Sequence, residues 1–314
     1  MSADAALAVR TDAPRGGVRF APFCPCVAMT PSARLPLFLF VTAALVACQS
    51  PAATPAQTVT SPATAAVQGG AEVTIPVAVV VGDRPLTCSD SYTTADGAPW
   101  TLGDLRMFVS DVRVVDASGA EVSAAIVPDQ VWQNEHVALL DFAGNTGNCA
   151  SASAPQNNTL RVRIPDGDFT GLRFRVGVPF PQNHADPATL TAPLQEMAMH
   201  WGWRGGFKFL SFDVKSGESR AEIHYGSTQC QGEMTAITHC DRPNVATVEL
   251  QGDPRTGTIV IDAGQLIDSA TIADGNCMGP NDPGCVASHR GLGLDAETGI
   301  PVGSAPAFSL RAAP

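Results

Sequence analysis

The sequence lacks the motifs that announce most enzymes. It has no Gly-x-Ser-x-Gly elbow, no phosphate-cradling glycine loop, no Cys-x-x-Cys-His haem attachment and no His-Glu-x-x-His. Positive charge is scarce too, with 19 Lys and Arg against 30 Asp and Glu and a formal net charge of −11. That balance argues against nucleic acid and against an electrostatic grip on anionic lipid, which both need clustered basic residues. Long helical periodicity is almost absent, which excludes a helical bundle. The acidic pair Asp166/Asp168 lies in the turn-like PDGDFT and reads as turn chemistry, not as a general acid and base.

What is present begins at a second start. Met29 opens MTPSARLPLFLFVTAALVACQS, with a basic Arg34, an apolar run from Leu35 to Ala47 and a lipobox-like Leu45-Val46-Ala47-Cys48. The run is too short to span a bilayer. Residues 29–47 read as a lipoprotein signal peptide, with Cys48 the lipidated residue, and residues 1–28 as an over-called start. On that reading Cys24 and Cys26 are no metal site. Residues 48–70 form a Pro/Ala/Thr/Ser tether without the apolar surface to fold. The folded domain is then 71–314. Removing the first 48 residues leaves 15 basic and 28 acidic groups, a net charge of −13. The implied location is the periplasm or cell surface, on a lipid anchor. Glutamine after Cys48 suggests the outer membrane.

Six cysteines remain in the domain: Cys88, Cys149, Cys230, Cys240, Cys277 and Cys285. An even number in an exported chain suggests disulfides, and six cysteines allow fifteen pairings. The short spacings favour Cys230 with Cys240 and Cys277 with Cys285, leaving Cys88 with Cys149. A thiolate zinc site is the rival, but no Cys-x-x-Cys spacing supports it.

Short β-rich runs recur between Gly, Pro, Asn and Asp clusters, the pattern of a single all-β sandwich or barrel-like domain with short helices. In TLRVRIP, Leu160, Val162 and Ile164 share one face and Arg161 and Arg163 the other. In GLRFRVGVPF, Leu172, Phe174, Val176 and Val178 oppose Arg173 and Arg175. The two runs, joined by PDGDFT, predict a hairpin with a solvated arginine face. Further strands are expected at 73–81, 105–116, 137–142, 207–215, 221–227, 246–252, 258–261 and 308–311. Short helices are expected over 193–201 and 264–270.

Four of the six histidines fall between His184 and His239, with His200 and His224 between them. Neutral imidazole suits copper or zinc when donors converge from different segments. The alternative is that each is an isolated, hydrogen-bonded residue. Two of the four tryptophans stand in MHWGWRGGFKF. On an extended chain Trp201 and Trp203 would share a face, and Gly202, Gly205 and Gly206 would leave room beside them for another backbone or another protein. Trp100 and Trp132 read as packing residues.

The ordered series MFVSDVRVVDASG, VWQNEHVALLDF, GLRFRVGVPFPQNHADPAT, MHWGWRGGFKFLSFDV, IHYGSTQC and NCMGPNDPGC resembles the MbnP-like family, the metallo-mystery-pair four-Cys proteins. The likeness covers the chain from about Val73 to its end. It implies an exported copper-binding protein encoded beside a di-haem, MauG-like (MbnH-like) peroxidase that oxidises a tryptophan to kynurenine. The copper proteins CorA and MopE look related in this logic. In them the modified tryptophan joins two histidines around the metal. Indole offers only an N–H donor. Opening it yields an aryl amine and a ketone, turning an inert ring into a ligand.

Carried over, the resemblance makes His184 and His224 metal ligands and Trp203 the oxidised residue. Trp201 is the alternative for oxidation, His200 an additional ligand candidate, and Asp186 an acceptor for a histidine N–H. His200 and Met107 depart from the aromatic residues expected at their positions. The chain would then be the peroxidase's substrate and not a catalyst. Two other classes compete: a tethered structural or adhesive β-domain without metal, and a metal-dependent hydrolase or oxygenase.

Overall fold

The structure, a computed structural model, describes residues 69–149, 155–202, 204–279 and 282–312, all within the unit 60–314. The residues read as an over-called start (1–28), a signal peptide (29–47) and a lipidation site (Cys48), nearly all of the expected tether, and Trp203 lie outside the described residues.

Alternation of apolar and polar side chains builds two facing sheets. The first has five strands in path: β1 (Ala71–Val81), β4 (Thr159–Ile164), β13 (Gly257–Asp262), β15 (Phe308–Ala312) and the short Ala125–Ile126. Their order is β15, β13, β1, β4, Ala125–Ile126, and β1 and β13 run parallel. The second is organised around the 18-residue β2 (Pro99–Asp116). Its path is β12 (Ala246–Gln251), β5 (Phe169–Val176), β2, β8 (Leu210–Ser216), β9 (Ser219–Tyr225) and β14 (Asn276–Cys277), and β3 (Val137–Asp141) also pairs with β2.

One core joins the sheets. Ile75, Val77, Leu160, Val162 and Ile259 from the first sheet meet Leu105, Met107, Phe174, Phe212 and Ile223 from the second. Trp100 is buried there, with its ring against Tyr92 and Phe212. Burying such side chains contributes about 1.5–3 kcal/mol each before entropy is charged.

The predicted hairpin over 159–178 is not formed. β4 pairs with β1, whereas β5 pairs with β2 and β12 in the opposite sheet. PDGDFT is thus a corner between sheets. The alternation correctly gives the buried face of each strand, but period two carries no information about which strand lies alongside. The arginines of the outer faces meet carboxylates: Arg173 with Glu121 and Glu249, Arg175 with Asp111, Arg163 with Glu72.

The helix expected over 193–201 is replaced by a single 3-10 turn, Met197–Met199, followed by β6 (His200–Gly202), which pairs with β7 (Gly206–Phe207). Leu194 and Met199 are buried, but on a different surface. With Phe207, Phe209 and Val178 they cover Phe108, Val137 and Leu139 on the outer face of the second sheet, forming a separate small core. In the 264–270 region a 3-10 turn at Ala263–Gln265 precedes α2 (Ser269–Asp274), which is closed by an Asp268/Thr271 capping box.

Among the described residues three disulfides are present: Cys88–Cys149, Cys230–Cys240 and Cys277–Cys285. The second joins directly opposed residues of a two-stranded hairpin, β10 (Thr228–Glu233) and β11 (Ala236–Arg242), which pairs with neither main sheet.

Candidate metal centre

The segment 178–209 lies over the outer face of the second sheet and carries most of the candidate residues. Its first turn, α1 (Phe180–Asn183), ends at His184. Asn183 is buried and fixes the corner: its Oδ1 accepts the Phe207 N–H at 2.8 Å. The amide orientation follows from that bond, so Nδ2 donates to His184 Nε2 at 3.1 Å. In the neutral ring, His184 therefore carries its lone pair on Nε2 and its proton on Nδ1. The same Nδ2 is 3.4 Å from the Gly205 carbonyl and 3.5 Å from the Ser227 hydroxyl. The His184 ring packs on Phe180, and Nε2 is 3.4 Å from the Cys240 sulfur.

Of the glycines beside the tryptophans, Gly202 faces open space and Gly205 makes only ordinary contacts, whereas Gly206, like Gly226 from the neighbouring strand's end, serves one of the chain's own close approaches. A Cβ on Gly206 would stand 2.2 Å from the Asn183 carbonyl oxygen, at a φ of +74° that a side chain rarely adopts. A Cβ on Gly226 would meet the Phe207 carbonyl oxygen at 2.6 Å and the Trp201 ring at 2.7 Å. Trp201 is half-buried and seals one side of an open hollow of about 580 Å³, shared with Arg204, Ser227, Cys230 and Met278. Its ring thus sits against Gly226, two residues after His224.

His224 projects from β9 on the face opposite Ile223 and Tyr225, which point into the main core. It is 7% exposed, and its Nε2 lies 2.8 Å from Asp213 Oδ1 on β8. The carboxylate can only accept, so Nε2 carries the proton and Nδ1 keeps the lone pair. This is the carboxylate–imidazole arrangement that orients a metal-ligating histidine. His224 lines a narrow cleft of about 10 Å³ with Gly226, Met278 and His289, and Met278 borders the larger hollow as well.

A polar row crosses the sheet beneath this site. Asp141 on β3 pairs with Arg106 on β2, Arg106 with Ser211 on β8, and Ser211 with His224 on β9. All four are buried. Arg106 donates to Asp104 through Nε at 2.9 Å, and burial raises the Asp104 carboxyl above its usual range. Burial likewise pushes the Asp141 carboxyl up to about 6. This belt keeps His224 in a polar setting on a face that is otherwise covered by Phe108, Leu139 and their neighbours.

The remaining candidates fall as follows. His200 is half-buried with its ring on Phe207, and burial lowers its pKa. Asp186 caps the turn Pro187–Thr189 by accepting the Ala188 N–H, so its recorded role is local. The carboxylate that meets a candidate ligand histidine is Asp213, against His224, and sequence reasoning missed it. Its signal was an aspartate on an alternating strand, two residues along from Ser211, which stands opposite His224. His239 is exposed beside Asp241 on the hairpin. His289 on α3 (Val286–Leu292) was also missed. It is buried and donates from Nδ1 to the Cys285 carbonyl at 2.9 Å, and burial lowers its pKa.

The MbnP family pattern matches residues 70–282. This chain belongs to the MbnP family. Among solved structures it is similar to MbnP from Methylosinus trichosporium, with a TM-score of 0.67 and 26% identity over 79% of this chain and 100% of that one. A search of curated proteins finds no match. The MbnP match spans His184, Trp201, Asp213, His224, the hairpin disulfide and Met278, whereas α3 and His289 lie beyond it.

Proposed function

We propose that this MbnP-family chain is an exported, lipid-tethered copper-binding protein whose site is completed when a di-haem MauG-like peroxidase oxidises Trp201 or Trp203 to kynurenine. The observation that carries the reading is His224. It is a buried imidazole held by a carboxylate through Nε2–H, with its Nδ1 lone pair left for a metal. His184 supplies a second imidazole, its ring held by Asn183 at the corner that also binds the Trp201 strand. Neutral nitrogen donors with a neighbouring thioether, Met278, suit copper better than a hard cation. Kynurenine would add an aryl amine or ketone donor to this set.

In this reading the chain's own residues position donors and exclude water, and the peroxidase performs the oxidation. The protein is a substrate and a copper carrier, not a catalyst. A tryptophan at the rim of an open hollow, as Trp201 is, suits oxidation by a docked partner.

Peptide mass spectrometry on protein from its native host tests the reading. Cleavage after Arg175 and Arg204 releases residues 176–204, carrying His184, His200, Trp201 and Trp203 together. The expected result is a kynurenine mass shift located by fragmentation on one of the two tryptophans, with copper lost on His184→Ala and on His224→Ala. An unmodified peptide from cells that express the peroxidase would sink it.

A further inference from the structure

Three potential donor atoms meet at the hairpin. His184 Nε2 and the sulfurs of Cys230 and Cys240 all lie within 4.8 Å of one another. In the disulfide each sulfur is bonded to the other and is a poor ligand. Two thiolates and an imidazole about 2.3 and 2.0 Å from a tetrahedral cation would sit about 3.5–3.7 Å apart. The His184–Cys240 separation, 3.4 Å, is already of that size. Only the sulfurs need to part, and they are side chains of directly opposed residues on a hairpin outside the main sheets.

We propose that the Cys230–Cys240 disulfide masks a second site, opened by an external dithiol, in which both thiolates and His184 hold one soft d10 cation such as Cu(I), Zn(II) or Cd(II). The site goes beyond the copper reading: it shares His184 but uses neither His224 nor a modified tryptophan. Accessibility favours this pair. Cys88, Cys149, Cys277 and Cys285 are 7, 0, 1 and 4% exposed, and Cys230 is 5%, whereas Cys240 is half-buried. A dithiol's thiolate attacks the Cys240 sulfur, the chain's S–S bond breaks and Cys230 leaves as a thiolate. The second sulfur of the dithiol then closes on the first, releasing the Cys240 thiolate and a cyclic disulfide. Two electrons pass from the dithiol to the protein, and its two protons go to water as the cation takes both thiolates. The Nε2 lone pair turns from the Asn183 amide to the cation, and that amide keeps the Gly205 carbonyl and Ser227 hydroxyl within reach.

The test uses the full chain with Cys24→Ser, Cys26→Ser and Cys48→Ser, so that its only cysteines are the six of the three disulfides, reduced with dithiothreitol, desalted without oxygen and titrated with Cd(II) alone. The expected result is one Cd(II) per chain with thiolate-to-metal charge-transfer absorption, absent before reduction. Alkylation should fall on Cys230 and Cys240, and Cd(II) should block it. His184→Ala should keep the absorption but bind at least about tenfold more weakly. His224→Ala should bind as the parent does, which separates this site from the copper reading. No absorption, alkylation at another pair first, His184→Ala binding undiminished, or loss of the β-sheet circular dichroism on reduction would each overturn the proposal.

Discussion

Asp141 supplies the sharpest test of the buried polar row. Its carboxyl is 1% exposed, accepts the Ala143 N–H at 3.1 Å and pairs in register with Arg106, yet burial outweighs these partners and lifts it to about 6. In the unfolded chain it returns to about 3.9. A carboxyl raised on folding favours the folded state while it stays protonated. Its contribution is complete below the unfolded value and is lost as pH rises through about 6. Two units at 1.36 kcal/mol set a ceiling near 3 kcal/mol. Solvent relaxation around the ionised group lowers the expectation to about 1–2 kcal/mol. Asp141→Asn resembles the neutral acid, so parent and variant should unfold in urea with similar stability near pH 4. By about pH 7.5 the variant should be the more stable by about 1–2 kcal/mol. Subtracting the two curves removes the carboxyls that do not act on Asp141, leaving Asp141 with the part of the Asp104 and Glu196 titration that is tied to it. A difference that is flat with pH, or of the opposite slope, would refute the reasoning.

Three further outcomes follow from the geometry around the candidate metal centre. Asp213→Asn keeps an acceptor for the His224 N–H but removes its charge, and should weaken Cu(I) binding about 10–100-fold in a competition with a chromophoric chelator, without change in the β-sheet signal. Gly226→Ala places a carbon 2.6 Å from the Phe207 carbonyl oxygen and 2.7 Å from the Trp201 ring. It should cost about 1–3 kcal/mol and shift the tryptophan emission. Asn183→Ala leaves the Phe207 N–H without its acceptor and should cost about 1–3 kcal/mol in thermal or urea unfolding.

Legibility in the sequence followed burial. Strands with one face in the main core, such as 159–164 and 169–176, alternate cleanly and were read with the correct faces. Their partners were not, because the same alternation serves a hairpin or a corner between sheets. The hairpin 228–242 went unread since its strands are polar and largely exposed on both faces, so no pattern marks them. α3 escaped because VASHRGL starts immediately after a disulfide cysteine and holds too few large apolar residues for a helical stripe. Leu194 and Met197 mimicked helical spacing, but Met197 is exposed and only Leu194 reaches the small core. At the candidate site the histidines stood out by residue type and motif. Asp213 and Asn183 did not, because a carboxylate or amide that orients a ligand is chosen by three-dimensional proximity and leaves no spacing of its own.

The small core beneath 178–209 separates two kinds of stability in one chain. The sandwich is closed by side chains from both sheets, whereas the segment carrying His184 and Trp201 is fastened by Phe108, Leu139, Met199 and Phe207 on the outside of one sheet. Local opening energies track such separate clusters. Substitutions in the outer cluster can therefore loosen or tighten the segment while the framework that holds His224 and Asp213 stays rigid. One half of the proposed site is thus carried by the scaffold and the other by a cluster that can be repacked without disturbing the sandwich.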